Sequence, residues 1–293
     1  MKTPSFGPFF ILLAFLSLHT ACNLSPEPLD IAIEEPPQRL VISSYWIPPQ
    51  GAIFTFTRTF SALLGEDSID LNDAYIIDRV LIDDALGIIR YNGTVDTLFK
   101  ISPGVYGSLN TTQFLATDYI LELTDFKTQQ TVRAVTRFLP KILLDTVYPV
   151  QRILPNLGDT LFTFNFQFTD ITGVENYYLA TYTNINTLAE NFALGGGLFN
   201  FNQIQFNVFS DKNNGDGSPI QYQPDIGGSA GDTLVVSLSN ISKGYYEFLA
   251  AYKRSGNLLS QLTGEPVNLP TNVEGGYGYF ALIRPSARTV ILQ

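Results

Sequence analysis

The chain has 293 residues, 45% of them hydrophobic and only 15% charged, a balance that supports packed cores and argues against disorder. Its formal charge of −10 repels nucleic acid and anionic headgroups, so no nucleic-acid partner is expected and a membrane link cannot come from a basic face. With one Cys, one His and one Met, an internal disulfide is excluded, and His- or Cys-built metal sites have almost no ligands to draw on.

Lys2 opens a short charged region, residues 9–18 (FFILLAFLSL) form an apolar run, and Thr20-Ala21 precede Cys22. This is the layout of a lipoprotein leader: cleavage before Cys22, with lipid attached to its thiol. His19 stands where an aliphatic residue is usual. An ordinary secretory leader ending near Ala21 is one alternative, and it leaves an unpaired thiol at the mature N-terminus. A membrane-spanning helix is the other, but the run falls short of the ~20 apolar residues that a bilayer needs. Processing before Cys22 also removes His19 and Met1, the sole His and Met. Catalysis by Ser-His-Asp or Cys-His is then excluded, and no cofactor is expected. Carboxylate chemistry, a Ser-Lys pair, a Tyr nucleophile and oxygen-ligated cations remain.

Residues 23–38 hold four prolines and four carboxylates without a Lys or Arg, which reads as an extended tether. From Arg39 the chain breaks into short β-like runs: residues 40–47, 52–60, 74–82, 88–91, 119–124 and 130–138. Turns at 48–51, 83–87 and 104–106 separate them. About seven strands at this spacing predict an immunoglobulin-like β-sandwich over residues 39–141. Residues 141–149 read as the passage into a second β-rich unit, 142–293. There, residues 159–169 alternate with Phe162, Phe164, Phe166 and Phe168 on one face, followed by strands at 177–182 and 234–238. Ile241, Tyr245, Phe248 and Tyr252 fall at helical spacing, so residues 242–253 are expected to form one short helix. Short strands are expected within 266–272, 275–282 and 289–292.

Candidate sites are few. Gly195-Gly196-Gly197 sits among Phe192, Phe199, Phe201 and Phe206, and an exposed glycine-rich loop could present these aromatics to a ligand or partner. Asp211, Asn213 and Asp216 resemble a calcium loop, but Gly215 replaces a ligand and no Glu closes the motif; a hairpin tip is the commoner reading. Asp83-Asp84 reads as a turn. Twenty-seven acidic residues offer many pairs for glycan hydrolysis, and nothing selects one. Asp-Ser/Thr-aliphatic triplets recur at Ser68, Thr97, Thr146, Thr160 and Thr233. Turns commonly end in Asp before a β-branched residue, and O-glycosylation at these hydroxyls is the sharper alternative.

Several stretches resemble the DUF4249 family of Bacteroidota lipoproteins. They are Leu40-Val41-Ile42 with Trp46-Ile47, residues 74–84, Gly104-Val105-Tyr106 and residues 119–123. Asp170, Gly173 and Asn176-Tyr177-Tyr178 follow its D-x-x-G-x-x-N-Y-Y element. The most specific part is the tail, Glu265-Pro266-Val267, Thr271-Asn272 and residues 275–280 (GGYGYF). The resemblance implies an all-β lipoprotein of the outer membrane that faces the surface or the periplasm, and the acidic residues Glu27, Asp30, Glu34 and Glu35 behind Cys22 favour the cell surface over the periplasmic leaflet. It also implies an accessory role beside a TonB-dependent β-barrel receptor, with no catalysis. A carboxylate-based glycan hydrolase and a surface adhesin are the rival readings.

Overall fold

Strand formation follows the period-two alternation of apolar residues, and each sheet buries the apolar side of that alternation. The computed structural model describes residues 37–47, 51–59, 79–108, 111–153, 160–185, 205–212, 216–223, 230–254 and 269–292. All belong to one compact unit, Pro37–Gln293. The protein is mainly β, with four sheets and one described helix of appreciable length.

The first half supplies β1 (Leu40–Ile47), β2 (Gly51–Arg58), β3 (Ala85–Tyr91), β4 (Thr94–Thr97), β5 (Phe99–Ser102), β6 (Val105–Ser108), β7 (Asp118–Asp125) and β8 (Thr131–Arg137). Strands β1-β2-β6-β5 form one sheet and β8-β7-β3-β4 the other. This is the immunoglobulin arrangement, with one added strand beside β3. The expected turn over 83–87 is shorter than the sequence suggested. Strand β3 begins at Ala85, because Ala85 and Leu86 pair with Asp125 and Thr124. Between the sheets lie Leu40, Ile42, Phe54, Phe56, Ile89, Tyr106, Tyr119, Leu121 and Leu123. Tyr119, at the start of β7, donates its hydroxyl proton to the Thr112 carbonyl at 2.5 Å and accepts from the Phe114 amide at 2.8 Å. That tie to an upstream loop is the tyrosine corner of such sandwiches.

Phe138 closes the first core, edge-on to Tyr119, and Ile142 already belongs to the second. The second half supplies β9 (Leu144–Ile153), β10 (Thr160–Thr169), β11 (Tyr177–Asn184), β12 (Gln205–Ser210), β13 (Pro219–Tyr222) and β14 (Thr233–Ile241). After them come α1 (Lys243–Arg254), β15 (Val273–Glu274), β16 (Tyr277–Tyr279) and β17 (Ser286–Ile291). Residues 141–149, expected as a passage, are mostly strand: β9 pairs with β10 from Leu144 to Ile153. Sheets β9-β10-β13 and β12-β11-β14-β17 bury Phe164, Phe166, Phe168, Tyr178, Tyr182, Val236 and Leu238. The wiring of the first half is repeated. Strands β9, β10 and β13 correspond to β1, β2 and β6, and β11, β12, β14 and β17 to β3, β4, β7 and β8.

Helix α1 is set between β14 and β17. Ser242 caps it, its hydroxyl accepting from the Tyr245 amide at 3.2 Å, and Lys253 and Arg254 lie in the last turn, where the helix dipole favours them. Its apolar side, Tyr245 and Leu249, packs with Leu179 and Ile241.

Strands β15 and β16 lie in the same insertion but pair with the first sandwich. β16 runs parallel to β1, with Val41 opposite Tyr277, and β15 pairs antiparallel with β8. Each thus extends one of its two sheets on the same side. Gly276 and Gly278 make this approach feasible. A Cβ on Gly276 would lie 2.6 Å from the Leu40 carbonyl oxygen, and one on Gly278 (φ +90°) would collide with that of Ile42.

A buried ion pair ties the two sheets of the first sandwich. Arg58 on β2 donates two 2.7 Å hydrogen bonds to Asp125 on β7 and a third to the Leu81 carbonyl at 3.0 Å. Burial alone would raise the Asp125 pKa. The Arg58 guanidinium, the Thr128 hydroxyl and the Lys127 amide outweigh it and hold the carboxyl below the usual range. Replacing Arg58 by Met strands that charge and should cost about 3–5 kcal/mol at pH 7, read by urea unfolding. Because the folded pKa is depressed, the pair's contribution is complete above about pH 5 and is lost as acid titrates Asp125. The deficit of Arg58→Met should therefore shrink on acidification below about pH 4. A constant deficit from pH 7 to pH 3 would contradict the assignment.

Candidate functional site

At one end of the second sandwich, the turn after β10 and the turn after β12 meet around buried carboxylates. Asp170 is the centre. Its Oδ1 accepts from the Tyr178 hydroxyl and from Asn176 Nδ2 at 3.3 Å, and its Oδ2 accepts from the Gly217 amide at 3.0 Å. Burial first, and then the hydrogen bond to Asp170, push the Tyr178 phenol well above its ordinary pKa, so it stays a donor. Asn176 Nδ2 also donates to the carbonyls of Ile171 at 2.8 Å and Val174 at 2.9 Å. The Asn176 amide donates to Asp211 Oδ2 at 2.9 Å, and the Asp211 amide returns a bond to the Asn176 carbonyl at 3.2 Å. Asp216 accepts from the Gly173 amide at 2.8 and 3.0 Å. Gly173 and Gly217 both take positive φ, which lets the turns close.

This is a polar knot whose acceptors already face donors. Asp211 and Asp216, two of the three calcium candidates, each bind an amide of the neighbouring turn; Asn213 lies outside the described residues. Among the described residues, no group of three or more His, Cys, Asp or Glu side chains is placed to hold a metal ion. A second cluster went unnoticed in the sequence. Asp96 Oδ2 accepts from Ser108 Oγ at 2.5 Å and Thr111 Oγ1 at 2.7 Å. No local pattern announces it, because Asp96 on β4 meets Ser108 and Thr111 only once β4 and the end of β6 are brought together.

The aromatic candidates divide. Phe206 is half-buried on β12, with its ring 6.3 Å from that of Tyr252 on α1, and it packs in the apolar layer beneath the helix. Phe192, Phe199 and Phe201 lie outside the described residues, as do Cys22 and Ser68. Of the hydroxyl candidates, Thr97 and Thr146 are exposed, Thr233 is half-buried at the start of β14, and Thr160 opens β10.

One difference between the sandwiches concerns a single connection. Between β3 and β4 the chain turns on Asn92 and Gly93 alone, both at positive φ, whereas residues 185–204 separate the equivalent strands β11 and β12. The long connection leaves from the end of the sandwich opposite the Asp170 knot, since β11 begins at the knot and ends at Asn184.

A family model described as "Domain of unknown function (DUF4249)" matches residues 26–288. The chain belongs to this family. No curated protein matches it. The D-x-x-G-x-x-N-Y-Y element of the DUF4249 chain is the Asp170 knot, and the glycine-rich tail is the β15–β16 pair.

If the knot is structural, Asp170→Ala leaves Tyr178 and the Gly217 amide without their buried acceptor and should lower stability by roughly 1–3 kcal/mol in urea unfolding. Millimolar calcium should leave the melting temperature of the native chain unchanged. A calcium-dependent rise would reassign Asp211 and Asp216 as ligands.

Proposed function

We propose that this DUF4249 chain is a lipid-anchored, non-catalytic binding protein of the outer membrane. Its anchor is Cys22, and it faces the cell surface of a member of the Bacteroidota beside a TonB-dependent β-barrel receptor. The observation that carries the binding role is the contrast between the two equivalent connections. Two sandwiches of the same wiring differ by a turn of Asn92-Gly93 in one and residues 185–204 in the other. The longer connection contains Gly195-Gly196-Gly197, Phe192, Phe199 and Phe201. A scaffold needs no such length to join adjacent strands, and the connections between sandwich strands are where recognition is commonly built. The acidic, proline-rich residues 23–38 suit a spacer between lipid and fold.

A non-catalytic role is supported by how the buried acids are used. Among the described residues, Asp96 serves Ser108 and Thr111, Asp125 serves Arg58, Asp170 serves Tyr178 and Gly217, and Asp211 serves Asn176. Glycan hydrolysis needs a carboxylic acid and a carboxylate free to face a sugar.

Two experiments test the reading. Cys22→Ser should move the protein from the detergent-extracted membrane fraction to the soluble fraction, and incorporation of labelled fatty acid should cease. Replacing residues 185–204 by Asn-Gly, the turn of the first sandwich, should leave the thermal transition within a few degrees of native. The same change should abolish co-purification of a β-barrel through a C-terminal tag. Undiminished recovery of the barrel would remove residues 185–204 from the interface. Recovery of none by the native chain would favour an adhesin.

A further inference from the structure

The segment 271–283 joins both sheets of the first sandwich and the apolar layer beneath α1. Its strands β15 and β16 add to the two sheets of the first sandwich. Its side chains then alternate between two apolar clusters. Val273, Phe280 and Leu282 enter the first core, while Tyr279, Ala281 and Ile283 join the layer formed by α1 with β11 and β12. Both ends of the segment are anchored. Asn272 makes a reciprocal pair with Phe280, Oδ1 accepting from its amide and Nδ2 donating to its carbonyl, each at 2.8 Å, and Nδ2 also reaches the Val135 carbonyl on β8 at 3.0 Å. Ser44 on β1 donates to the Tyr279 carbonyl at 2.9 Å and accepts from the Ala281 amide at 2.7 Å. Tyr245 on α1 reaches the Ser44 carbonyl at 3.4 Å.

We infer that segment 271–283 is a strap that makes the two sandwiches a single cooperative unit, with the first sandwich dependent on it for stability of its β1 and β8 edges. The physical reason is double. Without the strap, the backbone groups that β1 and β8 offer to it lose their partners, and the first core loses Val273, Phe280 and Leu282 at once. A short linker between tandem domains does not by itself couple their unfolding, since interfaces between domains are commonly small and polar. Here the coupling element is a segment of one sandwich built into the sheets of the other.

Trp46, the only tryptophan, lies on β1 and so reports on the first sandwich, whereas far-UV circular dichroism reports on both. In the full chain the two probes should trace one superimposable urea transition. In Gly278→Val, where the new side chain collides with the Ile42 carbonyl, the Trp46 transition should fall by about 1 M urea or more, while a later dichroism phase stays near the native midpoint. Amide exchange should rise at least tenfold in peptides covering β1 and β8 and remain native in those covering β10 and β14. Asn272→Ala, which removes three hydrogen bonds and adds no atom, gives the same reading if Gly278→Val does not accumulate as folded protein. Probes that stay superimposed in both variants, or that already separate in the native chain, would overturn the inference.

Discussion

An unpaired sheet edge is the constraint around which this fold is arranged. An open sandwich leaves a row of amides and carbonyls on each outer strand, which must be paired, covered or solvated. The first sandwich meets this on its β1/β8 side with residues borrowed from the far end of the chain, and the borrowed strands must come within backbone distance. That proximity explains Gly276 and Gly278, the burial of Phe280, and the three bonds of Asn272. The opposite side is managed with local devices: β5 is only four residues long, carries Lys100 in an ion pair with Asp83, and shifts register between Lys100 and Ser102.

The outer face of the β8-β7-β3-β4 sheet shows how little charge the molecule needs once its edges are settled. Arg90 pairs with Glu122, Arg133 with Glu274, and Arg137 with Asp118, each across neighbouring strands. Such exposed pairs contribute little to stability but keep that face wetted. Arg58 and Asp125 are different in kind. Being buried, they tie β2 to β7 across the core, where losing either partner is costly.

What the sequence made legible was what alternation and capping encode. Strand β1 was bounded as found, residues 159–169 anticipated β10, and the helix was displaced by one residue. Phe164, Phe166 and Phe168 face the core as their spacing required. Strands β4, β5, β6 and β13 escaped notice because four residues do not establish a period, so that Val105 and Tyr106 of β6 read as a turn, and β9 because Pro149 and exposed Leu143 and Tyr148 blur its pattern. The repeated wiring was invisible for a deeper reason: it resides in which strands pair, and pairing between distant segments leaves no mark on local composition. The same holds for the knot. Its Asp, Gly, Asn and Tyr could be quoted as a motif, but that they meet Asp211, Asp216 and Gly217 is known only from the fold.

The strap has a consequence for the order in which the molecule comes into being. Ser44 and the Tyr279 carbonyl it binds are separated by 235 positions. Contacts of that span form late, because a long loop must be closed before they return any energy. The N-terminal sandwich is therefore the first part to be synthesised and the last to be completed. A chain that stops short of residue 271 retains the bare edges of β1 and β8, and such edges invite aggregation and proteolysis. Completeness at the C-terminus is thus checked at the N-terminus, by geometry alone.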